Sequence, residues 1–253
     1  MNNGIFFSLS KSYFNSALSS FYYMGQTNLL FKPVALLIAI LYSAILIPAS
    51  TIFILFIIFD WVGGITDALR KLLINLIYQQ SRLIDKSFIS FILCPILLSI
   101  LSPIFLLSLF IPKFSSNTLV NIAENELSAI ISGVGAFKTI NEITWSAANR
   151  LFIYVSNTYL IIKPIAAVVA IIYSTVLIIE GAIFAILIPI DWISQLIENS
   201  RQGIVRFANV QQRKIRYNTS SFLLSPIVLV ILAPFFLAVI LIPKFATNFD
   251  MDA

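Results

Sequence analysis

The sequence predicts an all-α membrane protein built from two tandem repeats. Three observations lead there: the mean hydropathy is +0.97, several long stretches lack any charged residue, and the sequence matches itself at an offset of 131 residues. Hydrophobic residues make up 59% of the chain and charged residues only 11%, against about 25% charged in a typical soluble domain. This composition places most of the chain in a bilayer.

The repeat is visible without a gap. Residues 31–117 align with residues 162–248, with 34 identities in 87 positions, and the sequence IPKF closes both copies at 111–114 and 242–245. Each copy holds two apolar runs, an even number, so both copies enter and leave the membrane on the same side and form parallel repeats. The predicted boundaries are 1–117 for repeat 1, 118–134 for an amphipathic linker helix, 135–248 for repeat 2 and 249–253 for a tail.

An amphipathic helix is predicted at the start of each repeat. In the first repeat, bulky apolar residues and serines recur at helical spacing on opposite faces. A helix with an aromatic face and a nearly uncharged polar face binds membranes by inserting its rings, which makes it sensitive to curvature. The predicted curvature-sensing face consists of Phe6, Leu9, Tyr13, Phe14, Leu18 and Phe21.

The apolar runs cover residues 33–59, 87–112, 164–190 (interrupted only by Glu180) and 217–243. As one helix, the first run would be roughly 40 Å long against a hydrocarbon core of about 30 Å. It is too long for one straight crossing and too short for two, which predicts proline-broken segments. Re-entrant hairpins and kinked full spans both remain open. The predicted helix breaks are Pro48, Pro103, Glu180, Gly181 and Pro234.

Residues suited to the membrane interface flank the apolar runs at equivalent positions of the two copies. Lysine can extend its ammonium to the headgroups, and indole rings favour the interface. Asp60 and Asp191, which precede Trp61 and Trp192, are expected to cap the helix that follows. The predicted interface anchors are Lys32, Trp61, Lys113, Lys163, Trp192 and Lys244.

A basic amphipathic helix is predicted between the two apolar runs of each repeat. Its positive charge favours anionic headgroups, and the positive-inside rule places both inter-run segments on the cytoplasmic side. The predicted headgroup contacts are Arg70, Lys71, Arg82, Lys86, Arg201, Arg206, Arg213, Lys214 and Arg216.

Glu180 is the one charged residue within a predicted apolar run. An acid at bilayer depth indicates either a proton or solute site or a helix break near an interface. Its equivalent in the first repeat is Ala49.

Catalytic groups are scarce. The chain has no histidine and a single cysteine, Cys94, which lies in an apolar run, and no glycine-rich phosphate loop follows a strand. We therefore expect no enzyme activity, no cofactor or metal, and no nucleic-acid partner. Two function classes remain: a self-associating protein that shapes or scaffolds a membrane, and a four-span channel, pore or small-solute transporter built from parallel repeats.

Paired overlong apolar runs flanked by amphipathic helices resemble the reticulon and REEP group of hairpin proteins, in architecture only. The resemblance implies membrane shaping through hairpins and homo-oligomers, in an endoplasmic-reticulum-like or other intracellular membrane. The first residues lack the features of a secretory signal, so we expect the membrane segments themselves to direct insertion. Lipids with anionic headgroups are the expected partners, and protein partners cannot be named from the sequence.

Overall fold

A computed structural model describes residues 4–114, 134–245 and 248–249. Within these ranges the prediction of an all-helical protein with four long apolar segments is confirmed, apart from one two-residue antiparallel strand pair. The predicted linker helix at 118–134 lies almost wholly outside the described residues. The elements are α1 Ile5–Gln26, α2 Lys32–Leu55, α3 Ile57–Leu83, α4 Phe88–Leu109, β1 Val134–Gly135, α5 Ala136–Asn157, α6 Lys163–Ile215, α7 Thr219–Leu241 and β2 Asn248–Phe249.

Local sequence accounts for the helix starts. Both α2 and α6 begin with a Lys-Pro pair, since proline fits the first turn, where no backbone N–H is needed for an intrahelical bond. Ser87 caps α4 by accepting a hydrogen bond from the Ser90 N–H at 3.1 Å. A single turn residue, Phe56, separates α2 from α3.

The four long apolar helices make the chain an integral membrane protein. With 24, 22 and 23 residues, α2, α4 and α7 are about 33 to 36 Å long, which suits one crossing of a core of about 30 Å. The 53 residues of α6 correspond to about 80 Å. It therefore extends well past one bilayer core, and its apolar part precedes Asp191.

The predicted helix breaks are wrong. Pro48 lies inside α2, Pro103 inside α4, Pro234 inside α7, and both Glu180 and Gly181 inside α6. A proline removes one backbone hydrogen bond, whereas a break in an apolar surrounding would expose several, so the helix continues through it. One glycine costs a helix only about 1 kcal/mol, too little to end α6.

The chain folds into two compact units. Among the described residues, unit 1 contains 4–65, 113–114 and 196–243, and unit 2 contains 66–112, 134–195, 244–245 and 248–249. Each unit thus combines the first half of one sequence repeat with the second half of the other. The compact units differ from the repeats at 1–117 and 135–248.

In unit 1, α1 packs along α2, and α7 and the last part of α6 complete the core. The Tyr13 ring lies 5.2 Å from the Phe53 ring, and its hydroxyl donates a 2.7 Å hydrogen bond to the Leu229 carbonyl. Tyr23 stacks on Phe222 at 4.5 Å. The contacts of Tyr13 with Leu229 and of Tyr23 with Phe222 join segments more than 190 residues apart in sequence.

Unit 2 has the equivalent composition: α5 and the first part of α6 pack with α4 and the last part of α3. Phe91 stacks on Tyr154 at 4.3 Å. Phe184 is within 6.4 Å of the Phe105 ring and 6.3 Å of the Phe137 ring. Aromatic side chains from three helices therefore meet around α6.

Candidate functional site

A buried aspartate caps the first helix of each unit. In unit 1 the Asp60 carboxylate accepts hydrogen bonds from the backbone N–H groups of Phe6 at 3.4 Å and Phe7 at 3.0 Å. In unit 2, Asp191 accepts the equivalent bonds from Phe137 and Lys138, at the same two distances. The free N–H groups and positive end of a helix N-terminus favour an anion there. Both aspartates therefore cap a helix some 53 residues earlier, which corrects the expectation that they cap the helix that follows.

A glycine makes each cap possible. A Cβ added at Gly4 would overlap the Asp60 carboxyl group, and a Cβ at Gly135 would overlap that of Asp191. Any larger residue would push the carboxylate away from the helix it caps. Gly4 and Gly135 are separated by the same 131 residues as the two aspartates.

A buried arginine bonds to the C-terminal end of α4 in unit 2 and of α7 in unit 1. The Arg70 guanidinium donates to the Ser108 carbonyl at 3.1 Å and to the Ile111 carbonyl at 2.7 Å in unit 2. In unit 1, Arg201 donates to the carbonyls of Ile240 and Ile242. A cation at a helix C-terminus satisfies carbonyl groups that have no intrahelical donor. Both side chains are 0% exposed.

The predicted headgroup contacts are therefore wrong for Arg70 and Arg201, since buried guanidinium groups cannot reach a lipid. The positive-charge pattern did not distinguish them, because an arginine that bonds to a helix end and an arginine that contacts headgroups look the same in the sequence. Arg216 is half-buried, bonded to Ser19 at 3.1 Å and positioned over the Tyr22 ring. The other predicted contacts are exposed: Lys71, Arg82, Lys86, Arg206, Arg213 and Lys214.

The predicted interface anchors divide into two groups. Trp61 and Trp192 are 73% and 69% exposed, and Lys32 is exposed, while Lys163 is half-buried with its Nζ 3.3 Å from the Ser156 carbonyl. Lys113 and Lys244 are each only 3% exposed.

The prediction for Lys113 and Lys244 is thus wrong. The position of Lys244 gives the reason: it lies close enough to Asp191 for the two charges to interact. A buried ammonium group needs a nearby carboxylate or hydrogen-bond acceptors to offset its lost hydration.

The predicted curvature-sensing face of α1 is also corrected. Phe6, Leu9 and Tyr13 are fully buried in unit 1, and burial raises the pKa of Tyr13, which stays a neutral hydrogen-bond donor. Phe14 and Leu18 are exposed and Phe21 is half-buried. The serines expected on a wet face are buried as well: Ser8, Ser12, Ser16, Ser19 and Ser20.

Close helix packing explains this inversion. Ser8, Ser12, Ser16 and Ser20 are spaced four residues apart, so small side chains form a stripe that lets α1 approach its neighbours. The hydroxyls of Ser16 and Ser20 donate hydrogen bonds to backbone carbonyls of their own helix, at 2.8 and 3.1 Å. Across the contact, the Ser10 and Ser50 hydroxyls are 3.0 Å apart.

A polar cluster lies within unit 2 around Glu180. The hydroxyls of Ser99 and Ser102 on α4 are near its carboxylate. Among the described residues, Glu180 Oε2 and Ser102 Oγ are shielded from solvent and have no partner in good hydrogen-bond geometry. Gly181, the next residue, faces α5, where a Cβ would come within 2.8 Å of Thr144 Oγ1.

Sequence reasoning assigned the aspartate caps to the wrong helix and missed the burial of the two arginines, although a signal was present. Gly4, Asp60 and Arg70 are each identical to the residue 131 positions later. Because these identities lie outside the apolar runs, they could have indicated residues with the same structural role in both repeats. Which residue each would contact could not be read from the spacing.

Comparison of the chain with protein-family models, with curated proteins and with solved structures gives no match.

Proposed function

We propose that the protein is a self-associating membrane scaffold that shapes its bilayer. One observation carries the proposal: the last part of α3 and the last part of α6 expose cations and large apolar side chains on the same segment. Such a surface suits the boundary between headgroups and acyl chains, where both kinds of side chain find a favourable environment.

In the last part of α3, Leu69, Leu72 and Leu76 are 45%, 57% and 37% exposed beside the exposed Lys71 and Arg82. Exposed cations on this segment support attraction to anionic lipids of about 1 kcal/mol each near the surface. The exposed leucines supply the apolar area that inserts below the headgroups.

In the last part of α6, Leu196, Phe207 and Val210 are 68%, 37% and 46% exposed, close to Arg206 and Arg213. These two segments occupy equivalent positions of the two repeats, and two apolar spans per repeat would keep both on the cytoplasmic side. Area added to one leaflet at two places favours curvature toward that leaflet. Self-association of many copies would organise the curvature.

Two features predicted from the sequence do not contribute to this function. The buried Phe6, Leu9 and Tyr13 cannot insert into lipid, and a continuous α2 does not form a hairpin at Pro48. The proposal therefore rests on the α3 and α6 segments, not on α1.

The test reconstitutes the full chain into liposomes with and without anionic lipid and examines them by electron microscopy. The variant replaces Lys71 and Arg82 with Gln. The matched control replaces two exposed lysines that lie outside the two segments and are not predicted interface anchors: Lys11 and Lys138. We expect tubules or small uniform vesicles from wild type and control, and fewer from the variant. Unaltered liposomes with wild-type protein would refute the proposal.

A second candidate function is a channel, pore or small-solute transporter, which the polar cluster around Glu180 favours. An acid among apolar helices indicates an ion or proton pathway by default. Ion and dye leakage measured on the same liposomes separates the two functions. A scaffold should change the shape of the liposomes without making them leak, and a pore should make them leak without changing their shape.

A further inference from the structure

The Glu180 side chain is half-buried, among groups that do not suit a free negative charge. It lies in the apolar part of α6, between the uncharged residues 164–179 and 181–190. Oε2 is shielded from solvent, and the groups nearest the carboxylate are the Ser99 and Ser102 hydroxyls of α4. A carboxylate within an apolar membrane helix is stabilised by a proton or a cation, since a free charge there costs several kcal/mol.

The charged groups described here on the helices packed around α6 in unit 2 are either bonded to other groups or exposed. On α5, Lys138 and Glu142 pair with each other at 3.9 Å on the exposed side, and Arg150 pairs with Asp85 at 3.2 Å. On α3, Arg70 bonds the carbonyls at the end of α4, and Lys71 and Arg82 are exposed. The titratable group of α4 is Cys94, which lies near Ser90. None of these contacts supplies Glu180 with a counter-ion.

The equivalent positions in unit 1 are all apolar. Residues 131 positions from Glu180, Ser99 and Ser102 are Ala49, Val230 and Ala233, and these three pack beside the unit 1 core. The polar residues are therefore present together in one unit and absent together from the other. Packing alone does not require the set, because the apolar version fills the same place in the fold.

We propose that Glu180, Ser99 and Ser102 form a binding site for one monovalent cation, either a proton or Na⁺. Carboxylate and hydroxyl oxygens are hard ligands that suit such a cation, and one carboxylate balances a single positive charge. Ser102 Oγ is fully buried and has no other partner in good geometry among the described residues. The inference deepens the second candidate function and does not depend on the scaffold function.

The test measures thermal unfolding of the full chain in detergent, so no membrane shape or leakage enters the readout. Wild type, Glu180→Gln and the control Glu142→Gln are compared in NaCl and in choline chloride over a series of pH values. The control removes an exposed carboxylate from a neighbouring helix.

For a sodium site, Tm of wild type and control should rise by about 5 °C or more at saturating Na⁺, with no rise in Glu180→Gln. For a proton site, Tm should fall as the pH rises, without a sodium effect, and Glu180→Gln should lose that slope. The proposed cation site would be refuted if the Tm of wild type responded to neither Na⁺ nor pH, or if Glu180→Gln kept the wild-type response.

Ser102→Ala provides the second variant if Glu180→Gln does not fold. It keeps the carboxylate and removes one ligand, so we expect a weaker cation response with the same sign. For a proton site, the infrared carbonyl band of a protonated carboxylic acid should be present in wild type and in Glu142→Gln. Its persistence in Glu180→Gln would assign that band to another residue and count against the site.

Discussion

The Asp60 carboxylate accepts a 3.0 Å hydrogen bond from the backbone N–H of Phe7, so a side chain of α3 caps α1. The contact joins residues 53 positions apart, and it fixes the start of the helix that packs along α2. Asp191 and Lys138 form the same contact in unit 2 at the same distance.

Asp60→Ala should lower the stability of unit 1. Loss of a helix cap costs about 0.5–2 kcal/mol, and loss of a hydrogen bond to a charged acceptor costs about 1.5–3 kcal/mol. We expect a loss of about 2–3 kcal/mol, measured as a lower Tm by circular dichroism in detergent. Glu142→Ala, which removes an exposed acid, should leave Tm nearly unchanged. Equal shifts for both variants would contradict a capping role.

Gly4→Ala and Gly135→Ala should destabilise the protein although alanine is the better helix former. The added Cβ would overlap the carboxyl group of the capping aspartate. Gly64→Ala and Gly203→Ala are the matched controls, because a Cβ there meets nothing within 4 Å. In the helix interior these controls should gain about 0.5–1 kcal/mol. Opposite signs of the Tm change are expected, and a gain at Gly4 would refute the close approach.

Arg70→Gln and Lys71→Gln should separate stability from lipid binding at adjacent positions. Arg70 is buried and bonded to two carbonyls, so its loss should lower stability by about 2–3 kcal/mol. Lys71 is exposed, so its loss should weaken flotation with anionic liposomes and leave Tm nearly unchanged. If Arg70→Gln keeps the wild-type Tm, its bonds to the end of α4 carry no stability.

Phe6→Ala and Phe14→Ala should distinguish a core face of α1 from an exposed one. Phe6 is 0% exposed and stacks on Phe56 at 5.6 Å, so its truncation should cost about 3–5 kcal/mol. Phe14 is 46% exposed and should cost less than about 1 kcal/mol. Chemical denaturation or thermal unfolding measures both. A smaller loss for Phe6 than for Phe14 would restore the predicted curvature-sensing face.

Sequence reasoning was reliable for the helices and weak for their orientations. Apolar runs predicted the four long helices because composition alone decides whether a segment suits lipid. The same reasoning misplaced Phe6 and Ser12, since it assumed that serines face water, whereas in a membrane protein small polar side chains allow close helix contacts. Arg70 was misplaced because its carbonyl partners, at the end of α4 and just beyond it, lie 38 and 41 residues away. Long-range partners of this kind leave no periodic signal.

The composition of the two units has a consequence for the order in which the protein can fold during translation. All described helices of unit 2 have been synthesised once residue 195 is added, although unit 1 begins with the first residues. The pair of α1 and α2 must wait for residues 196–243, which contain the last helical segment among the described residues. Since domains usually fold in the order of synthesis, unit 1 is exposed for longest to wrong partners, and α7 completes it last.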